Sequence, residues 1–553
     1  MSESASPPRI SAGLPAKVSG GLYPGLLVLA GLGLFFFRLG TPGLMDPDEG
    51  RYAEIAREML LLKDWLIPHL NLVPYLEKPP LVYWLTALSF ATFGLTEGAA
   101  RLPSALAALA GVFWAFGLGR ALWGERQGFW GAMVLATCGG YVILARLLTL
   151  DMVFTFFLDW GIALGYLALS RERPRLWPWA YLALALAVLA KGPVALVLAG
   201  LIWGPVGFRR GRQAVWALVR PGSWLLLAAV VLPWFLYVAW RYPEFPRFFF
   251  WEHHVARYVS GVTYHAEPWW YFGPLLVALL LPWTALAPWG LGRQAGPVAG
   301  DRIFLLIWAG VILGFFSVSR GKLAPYILPA LLPLALLVGE GLAAVQSEGR
   351  GLRLGVRVSL ISGAALGWLL AGLYFRPPGG LAPLVRQAAF LEPYLPASLV
   401  LLALAPTATL VTRRLEVLLA GALLFAAVLP LGLERLALQR SPRELGVTLR
   451  DHWQPGAALV GIYLYSQGLS FYSGQVFHLL EFRTELNFGQ RLAPDCGLFL
   501  KDMAELQKFC ASRPLVFFYL KAGDLFWLKA RVSRTYDIIA RKNDCLLIAS
   551  HRK

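Results

Sequence analysis

Charge is scarce in this chain. Only 15% of its 553 residues are Asp, Glu, Lys or Arg, while 58% are hydrophobic. Soluble domains carry roughly 25% charged residues, so a string of soluble domains is excluded and an integral membrane protein is indicated. Cysteine is scarce too: there are four, and no two form a CxxC pair, which argues against a thiolate-bound metal cluster. Cys138 falls in an apolar run. Cys496, Cys510 and Cys545 lie near the C-terminus, where an extracytoplasmic tail would permit one disulfide among the three. No signal peptide is expected, since the first 20 residues are polar and the run after them reads as a retained span. Acids are outnumbered, 32 against 50 basic residues, for a net charge of +18. Those basic residues sit in clusters between apolar runs, at 171–175, 208–212, 349–357 and 412–414. That is the positive-inside pattern of a polytopic membrane protein, and no nucleic-acid partner is expected.

What is abundant is apolar sequence. Runs of about 20 residues recur over roughly the first 430 positions. They are continuous rather than alternating, hence helices and not barrel strands. There are fourteen candidates, and orientation by the basic clusters does not allow all of them to cross. Stretch 79–95 begins and ends on the same face, so it is expected to lie at the interface, leaving about thirteen transmembrane helices. The first outside loop then covers 40–98, the membrane domain 1–433, and an outside tail 434–553. The tail alternates short β-branched and aromatic runs ("ALVGIYLYS", "PLVFFYL") with charged helical stretches, which predicts a small α/β domain.

Most of the scarce charge gathers on that outside face. "MDPDEGRYAEIAREML" (45–60) follows the first span directly and reads as a helix lying flat on the bilayer, with Asp48 and Glu49 in its first turn. These two carboxylates are either catalytic or a solvated helix start. Asp151, in "LLTLDM", stands at the mouth of another span and is either a second catalytic carboxylate or the N-cap of the helix that follows. Asp159, two turns deeper, should face the bundle interior and need a partner, whereas Glu340 reaches water at an inner end and receives no role. Tyr75, Glu77 and Lys78 in "YLEKPP" meet the membrane surface, where a lysine suits a lipid phosphate. Lys322 and Tyr326 in "GKLAPY", and Lys191 in "AKGPV", join the same face. "WEHHVARY" and "YHAEP" offer Glu252, His253, His254, Arg257, His265 and Glu267, without the spacing of a zinc motif. Carboxylates and cations crowded at one face favour an enzyme acting on a polyprenyl phosphate over a transporter, whose site would lie near the midplane.

"DPDEGRYAEIAREM", "YLEKPPLVYW", "LLTLDM", "AKGPV" and "GKLAPYILP" together resemble the aminoarabinose transferase branch of the protein-O-mannosyltransferase superfamily, membrane glycosyltransferases of the C fold (GT-C). The resemblance implies about thirteen spans with interfacial helices in the first outside loop. It implies functional roles for Asp48, Tyr52, Tyr75, Glu77, Lys78, Asp151 and Tyr326, with Arg257 as a lipid-phosphate ligand. The chemistry requires no cofactor; the resemblance permits a divalent metal such as zinc at Glu77 with His253, His254 or His265. The implied reaction moves a sugar from an undecaprenyl-phosphate donor to an acceptor outside the bacterial inner membrane. The expectation is 4-amino-4-deoxy-L-arabinose delivered to lipid A by a monomer embedded in the bilayer. The alternatives are a mannosyl or hexosyl transferase acting on protein or envelope glycan and, in another class, a polyprenyl-phosphate lipid transporter.

Overall fold

The structure, a computed structural model, describes residues 21–256, 266–292, 299–348, 352–482 and 485–552. All fourteen apolar stretches carry helix. Eight of the described helices are long and apolar enough to cross a bilayer, or ten if each of two sharply bent pairs makes one span. The remainder of the expected thirteen would be shorter helices: Leu22–Phe36, Trp177–Lys191 and Val194–Arg210. At about 1.5 Å per residue, 15 residues reach only about 22 Å of a hydrocarbon layer about 30 Å thick, so helix length alone does not carry the count to thirteen.

Residues 40–98, the expected first outside loop, hold two helices and a hairpin between the first helix and the next long helix. After α1 (Leu22–Gly31, continued by a π-turn to Phe36) come α2 (Asp48–Leu62), a two-residue hairpin β1–β2 (His69–Leu70, Val73–Pro74), and α3 (Leu81–Phe93). α3 has 13 residues, too few to span, as expected for 79–95. α2 corrects the sequence reading. It does not lie flat with a wet face: Glu49, Glu54 and Glu58 are buried along with Ala53, Ile55, Ala56 and Met59. One flank packs on α3 and another on helix Gln467–Ser473 of the tail. Glu54 is paired with Arg57 (2.7 Å), and Glu58 accepts from the Leu72 amide (2.9 Å) through one oxygen while its Oε1 has no hydrogen-bond partner.

α4 (Glu97–Trp123), the bent pair α5–α6 (Glu125–Thr137, Gly139–Ala145) and α7 (Leu150–Ser170) follow, and α4 packs on α5, α6 and α7. Next is a helical hairpin, α8 (Trp177–Lys191) and α9 (Val194–Arg210), turning at Gly192 with φ +110°, a backbone state that suits glycine. Asp159 on α7 is buried as expected, but its Oδ1 has no hydrogen-bond partner. Glu340, expected to reach water, is instead paired with the buried Arg302 at 2.6 Å.

The tail is an α/β unit. Its six strands are ordered β5-β4-β3-β6-β8-β7: Phe499–Leu500, Phe477–Leu480, Ala458–Ile462, Leu515–Lys521, Cys545–His551 and Thr535–Lys542. β3 to β6 run parallel, and β7 and β8 add antiparallel pairs. Helix Leu415–Arg440 continues unbroken past position 434, so the junction with the tail falls at Ser441–Pro442 rather than 433–434. One sheet face shares a continuous apolar core with the membrane domain through Leu459, Phe477, Leu479 and Phe517. All four cysteines are free thiols, so the disulfide considered among Cys496, Cys510 and Cys545 is not formed.

Candidate functional site

The sequence places an arginine, Arg101, inside an apolar helix, and the structure buries it completely, 1% exposed. A buried guanidinium must be paired and fully hydrogen-bonded. Its Nε and Nη2 donate to the two carboxylate oxygens of Glu49 at 2.7 and 2.8 Å, and its remaining donors reach the carbonyls of Leu39, Pro42 and Gly43. Glu49 also accepts from the amides of Met45 (3.0 Å) and Leu148 (2.9 Å). With its lone pairs so occupied, Glu49 is not positioned to act on a substrate, which corrects its assignment as a catalytic residue. It is a positioning group: Leu148 lies in the turn before Asp151, so one carboxylate ties the loop of Asp48 to the turn of Asp151.

Asp48, one residue before it, points the other way. Its side chain is 58% exposed, with Arg51 Nη1 at 3.7 Å. Tyr52, one turn further along α2, is buried, and the negative charges of Asp48 and Asp151 act on its phenol. Burial first, then these carboxylates, hold its phenol well above the usual range. Tyr75 donates to Glu77 at 3.0 Å. Burial raises the Glu77 carboxyl, opposed by the charges of Lys78 and Arg51. Tyr83, also buried near Arg51, has a phenol oxygen without a hydrogen-bond partner.

The second cluster hangs from α7 and α8. Asp151, in the first turn of α7, forms an ion pair with Lys191 at the end of α8. The Lys191 ammonium also stands 4.4 Å from the ring centroid of Tyr326 and 5.2 Å from that of Phe154. Three expected residues, far apart in sequence, thus meet in a cation–π and ion-pair group. Lys322 does not join them through any described contact. It donates to the carbonyls of Glu267 (2.9 Å) and Ser319, and lines a hollow of about 410 Å³ with Trp269 and Arg320. Two of the three ammonium donors of Lys322 thus go to main-chain oxygens and clasp this loop.

Arg257 and His265 lie outside the described residues. So do the side chains of His253 and His254, whose backbone belongs to a π-helix, Arg247–Ala256. Among the described residues no group of three His, Cys, Asp or Glu side chains could hold a metal. Glu77 is one oxygen donor with two cations beside it, which does not by itself make a metal site.

The tail closes over this region. Asp46 accepts from the Ser466 hydroxyl and the Gly468 amide (2.9 Å), and Tyr472 donates to Glu97 (3.2 Å). Glu485 accepts from Gln467 and comes within 4.0 Å of Arg51. Asn71 exchanges two hydrogen bonds with the backbone of Phe477. Burial pushes the Asp46 carboxyl up to about 6, against the opposing bonds from Ser466 and Gly468. The folded protein therefore binds this proton more tightly than the unfolded chain, where an aspartate titrates near ~3.9. The corresponding stability is present in acid and is lost as pH rises from about 4 to about 6. Asp46→Asn is expected to flatten that part of the profile, checked by thermal midpoints across pH.

Arg101, Arg51, Asp46 and Glu485 were not singled out from sequence. Arg101 carried a signal of its own, as a charge inside an apolar run, and Asp46 and Arg51 only as members of the charged stretch 45–60.

A family model described as dolichyl-phosphate-mannose-protein mannosyltransferase matches residues 77–240. Undecaprenyl phosphate-alpha-4-amino-4-deoxy-L-arabinose arabinosyl transferase 2 of Pseudomonas fluorescens is 38% identical over 374 residues, 63% of this chain and 61% of that protein. The corresponding transferase of Pseudomonas aeruginosa UCBPP-PA14 is 38% identical over 370 residues, 62% of this chain and 65% of that protein. The matched region thus spans just under two thirds of these relatives' length. The crystal structure of ArnT from Cupriavidus metallidurans bound to undecaprenyl phosphate superposes with a TM-score of 0.83 at 26% identity, covering 96% of this chain and 98% of that one.

The architecture is that of a multi-pass membrane protein with the GT-C fold. Within that superfamily the chain is similar to aminoarabinose transferases.

Proposed function

We propose that this protein transfers 4-amino-4-deoxy-L-arabinose from undecaprenyl phosphate to lipid A at the periplasmic face of the bacterial inner membrane. The observation that carries the reading is the bond from the Leu148 amide to Glu49, which ties the loop of Asp48 to the turn of Asp151, with Lys191 paired to Asp151 and Tyr326 against Lys191. Its support from relatives is their naming for that donor and a matching structure that holds undecaprenyl phosphate.

In the transfer, the bond between the sugar's anomeric carbon and the phosphate oxygen breaks, and undecaprenyl phosphate leaves with the electron pair. The leaving group is already a stable anion, so protonation of it is not required. Lys78 and Lys191, with Arg257, balance the charge on the phosphate, and Tyr52, Tyr75 and Tyr326 line the donor. A hydroxyl acceptor would surrender its proton to Asp48. A phosphate acceptor needs no base, and Asp48 then orients the sugar or holds its ammonium group. The membrane domain supplies the chemistry and the tail closes the first loop.

The test is mass spectrometry of lipid A from cells that make the aminoarabinose donor, with the protein, without it, and with Asp48→Asn. A mass gain of one aminoarabinose only with the unmodified protein is the expected result; unchanged lipid A in all three would refute it. The name of the matching family model favours, as a second reading, mannosyl transfer to protein. Sugar-modified envelope protein, with unmodified lipid A, would select that reading. Two further outcomes are expected. Lys191→Met should raise the donor KM by about tenfold or more, the effect of losing one charge-assisted hydrogen bond, read from donor titrations in nanodiscs. Transfer should persist after chelation with EDTA, read in the same assay.

A further inference from the structure

The tail carries an exposed corner that the transfer reaction does not use. Helix Leu525–Arg531, "LFWLKAR", leaves Phe526 84% exposed, the largest exposure of any described phenylalanine, beside Trp527. Tyr463, 41% exposed, follows β3 with φ +56° and stands 5.6 Å from the Trp527 ring. A tyrosine held in the left-handed region is a strained choice, and here it turns an aromatic ring outward. Arg531 lies over the Trp527 ring at 4.9 Å, and Lys529 is exposed on the same helix. Glu481 and Asp524 flank Tyr463.

The place of this corner says what it faces. The strands β3 and β6 end, at Ile462 and Lys521, on the edge of the sheet from which both Tyr463 and helix Leu525–Arg531 emerge. The β7–β8 turn is on that edge too: Cys545 pairs with Lys521, and the Ala522 amide bonds the Asp544 carbonyl at 2.7 Å. From this turn Asn543 donates to the carbonyl of Gln439 at 3.1 Å, at the end of helix Leu415–Arg440. That helix has 26 residues, about 39 Å of rise, so its end emerges from a hydrocarbon layer about 30 Å thick into the headgroup zone. Leu438 there is still 67% exposed, as a lipid-facing residue would be. Apolar aromatics bordered by Lys and Arg are the composition of an interfacial anchor.

We propose that the corner formed by Tyr463, Phe526, Trp527, Lys529 and Arg531 rests on the membrane, with Phe526 inserted at the headgroup–acyl boundary and the cations on anionic headgroups. The tail is then held to the bilayer at a second point, apart from its seat on the first loop. Such a contact keeps the domain level beside lipid substrates that approach in the plane of the membrane.

The test uses the full-length protein in nanodiscs of phosphatidylethanolamine and phosphatidylglycerol, with the photo-crosslinker p-benzoylphenylalanine in place of Phe526. The same crosslinker at Val411, 79% exposed on a spanning helix, is the lipid-facing control, and at Ser512, exposed before the opposite end of β6, the solvent control. Expected are phospholipid-mass adducts at 526 comparable with those at 411, absent at 512, and rising with the phosphatidylglycerol fraction. Adducts at 411 with none at 526 would overturn the proposal. So would crosslinks at 526 to a second protein chain in place of lipid. Activity of each labelled protein reports that it is folded.

Discussion

Asp48→Asn is expected to lower the transfer rate by about 10²–10⁴-fold if Asp48 is the general base, with the thermal midpoint almost unchanged. The side chain is more than half exposed, so solvent screens its charge and little folding energy depends on it. Asparagine keeps the shape and one acceptor oxygen but cannot take up the acceptor's proton at neutral pH. Which kinetic constant moves is informative. A base acts only in the transition state, so its loss lowers kcat and leaves KM for the donor nearly fixed. If the acceptor is a phosphate and Asp48 instead holds the sugar, the donor KM rises and kcat falls less. Donor titrations with purified protein in nanodiscs separate the two, and wild-type kinetics in the variant would remove Asp48 from the reaction.

The parts of this site legible in the sequence were those where physics acts on one residue at a time. Charge in an apolar chain is costly, so its concentration at 45–60 and at Asp151 marked the outside face, and the basic clusters oriented the spans. The resemblance added functional roles for Tyr52, Tyr75 and Tyr326, and the structure puts Tyr326 on Lys191 as the outside-face count had implied. What was not legible depends on pairs remote in sequence. Glu49 reads like Asp48 until Arg101, fifty-two residues on, is seen to occupy both of its oxygens. α2 has the pattern of a surface helix because its acids are meant for buried partners, and the tail that covers it lies some four hundred residues away. Lys322 has the right residue type at the right face, but the carbonyls that hold it come from a loop fold that no periodicity encodes.

Removing one half of the Glu49–Arg101 pair is expected to be the most damaging single change to stability, at about 3–5 kcal/mol, the usual cost of leaving a buried charge unpaired. Arg101→Met leaves the Glu49 carboxylate without its countercharge and orphans the carbonyls of Leu39, Pro42 and Gly43. Glu49→Gln leaves a buried guanidinium and replaces one acceptor oxygen by an amide NH2 that only donates, so either the Met45 or the Leu148 amide loses its acceptor. Thermal unfolding in detergent would show both variants well below wild type, in contrast to Asp48→Asn. The double variant Glu49→Leu with Arg101→Met separates stability from position. Replacing a buried ion pair by apolar side chains is often close to neutral for stability, so part of the thermal loss should return. Transfer should not return with it, because the bond from Leu148 to Glu49 joins the turn of Asp151 to the loop of Asp48, and leucine cannot make it. Recovery of stability and activity together would mean that the bundle sets the two aspartates without this carboxylate. Recovery of stability alone would make Glu49 the residue that fixes their spacing.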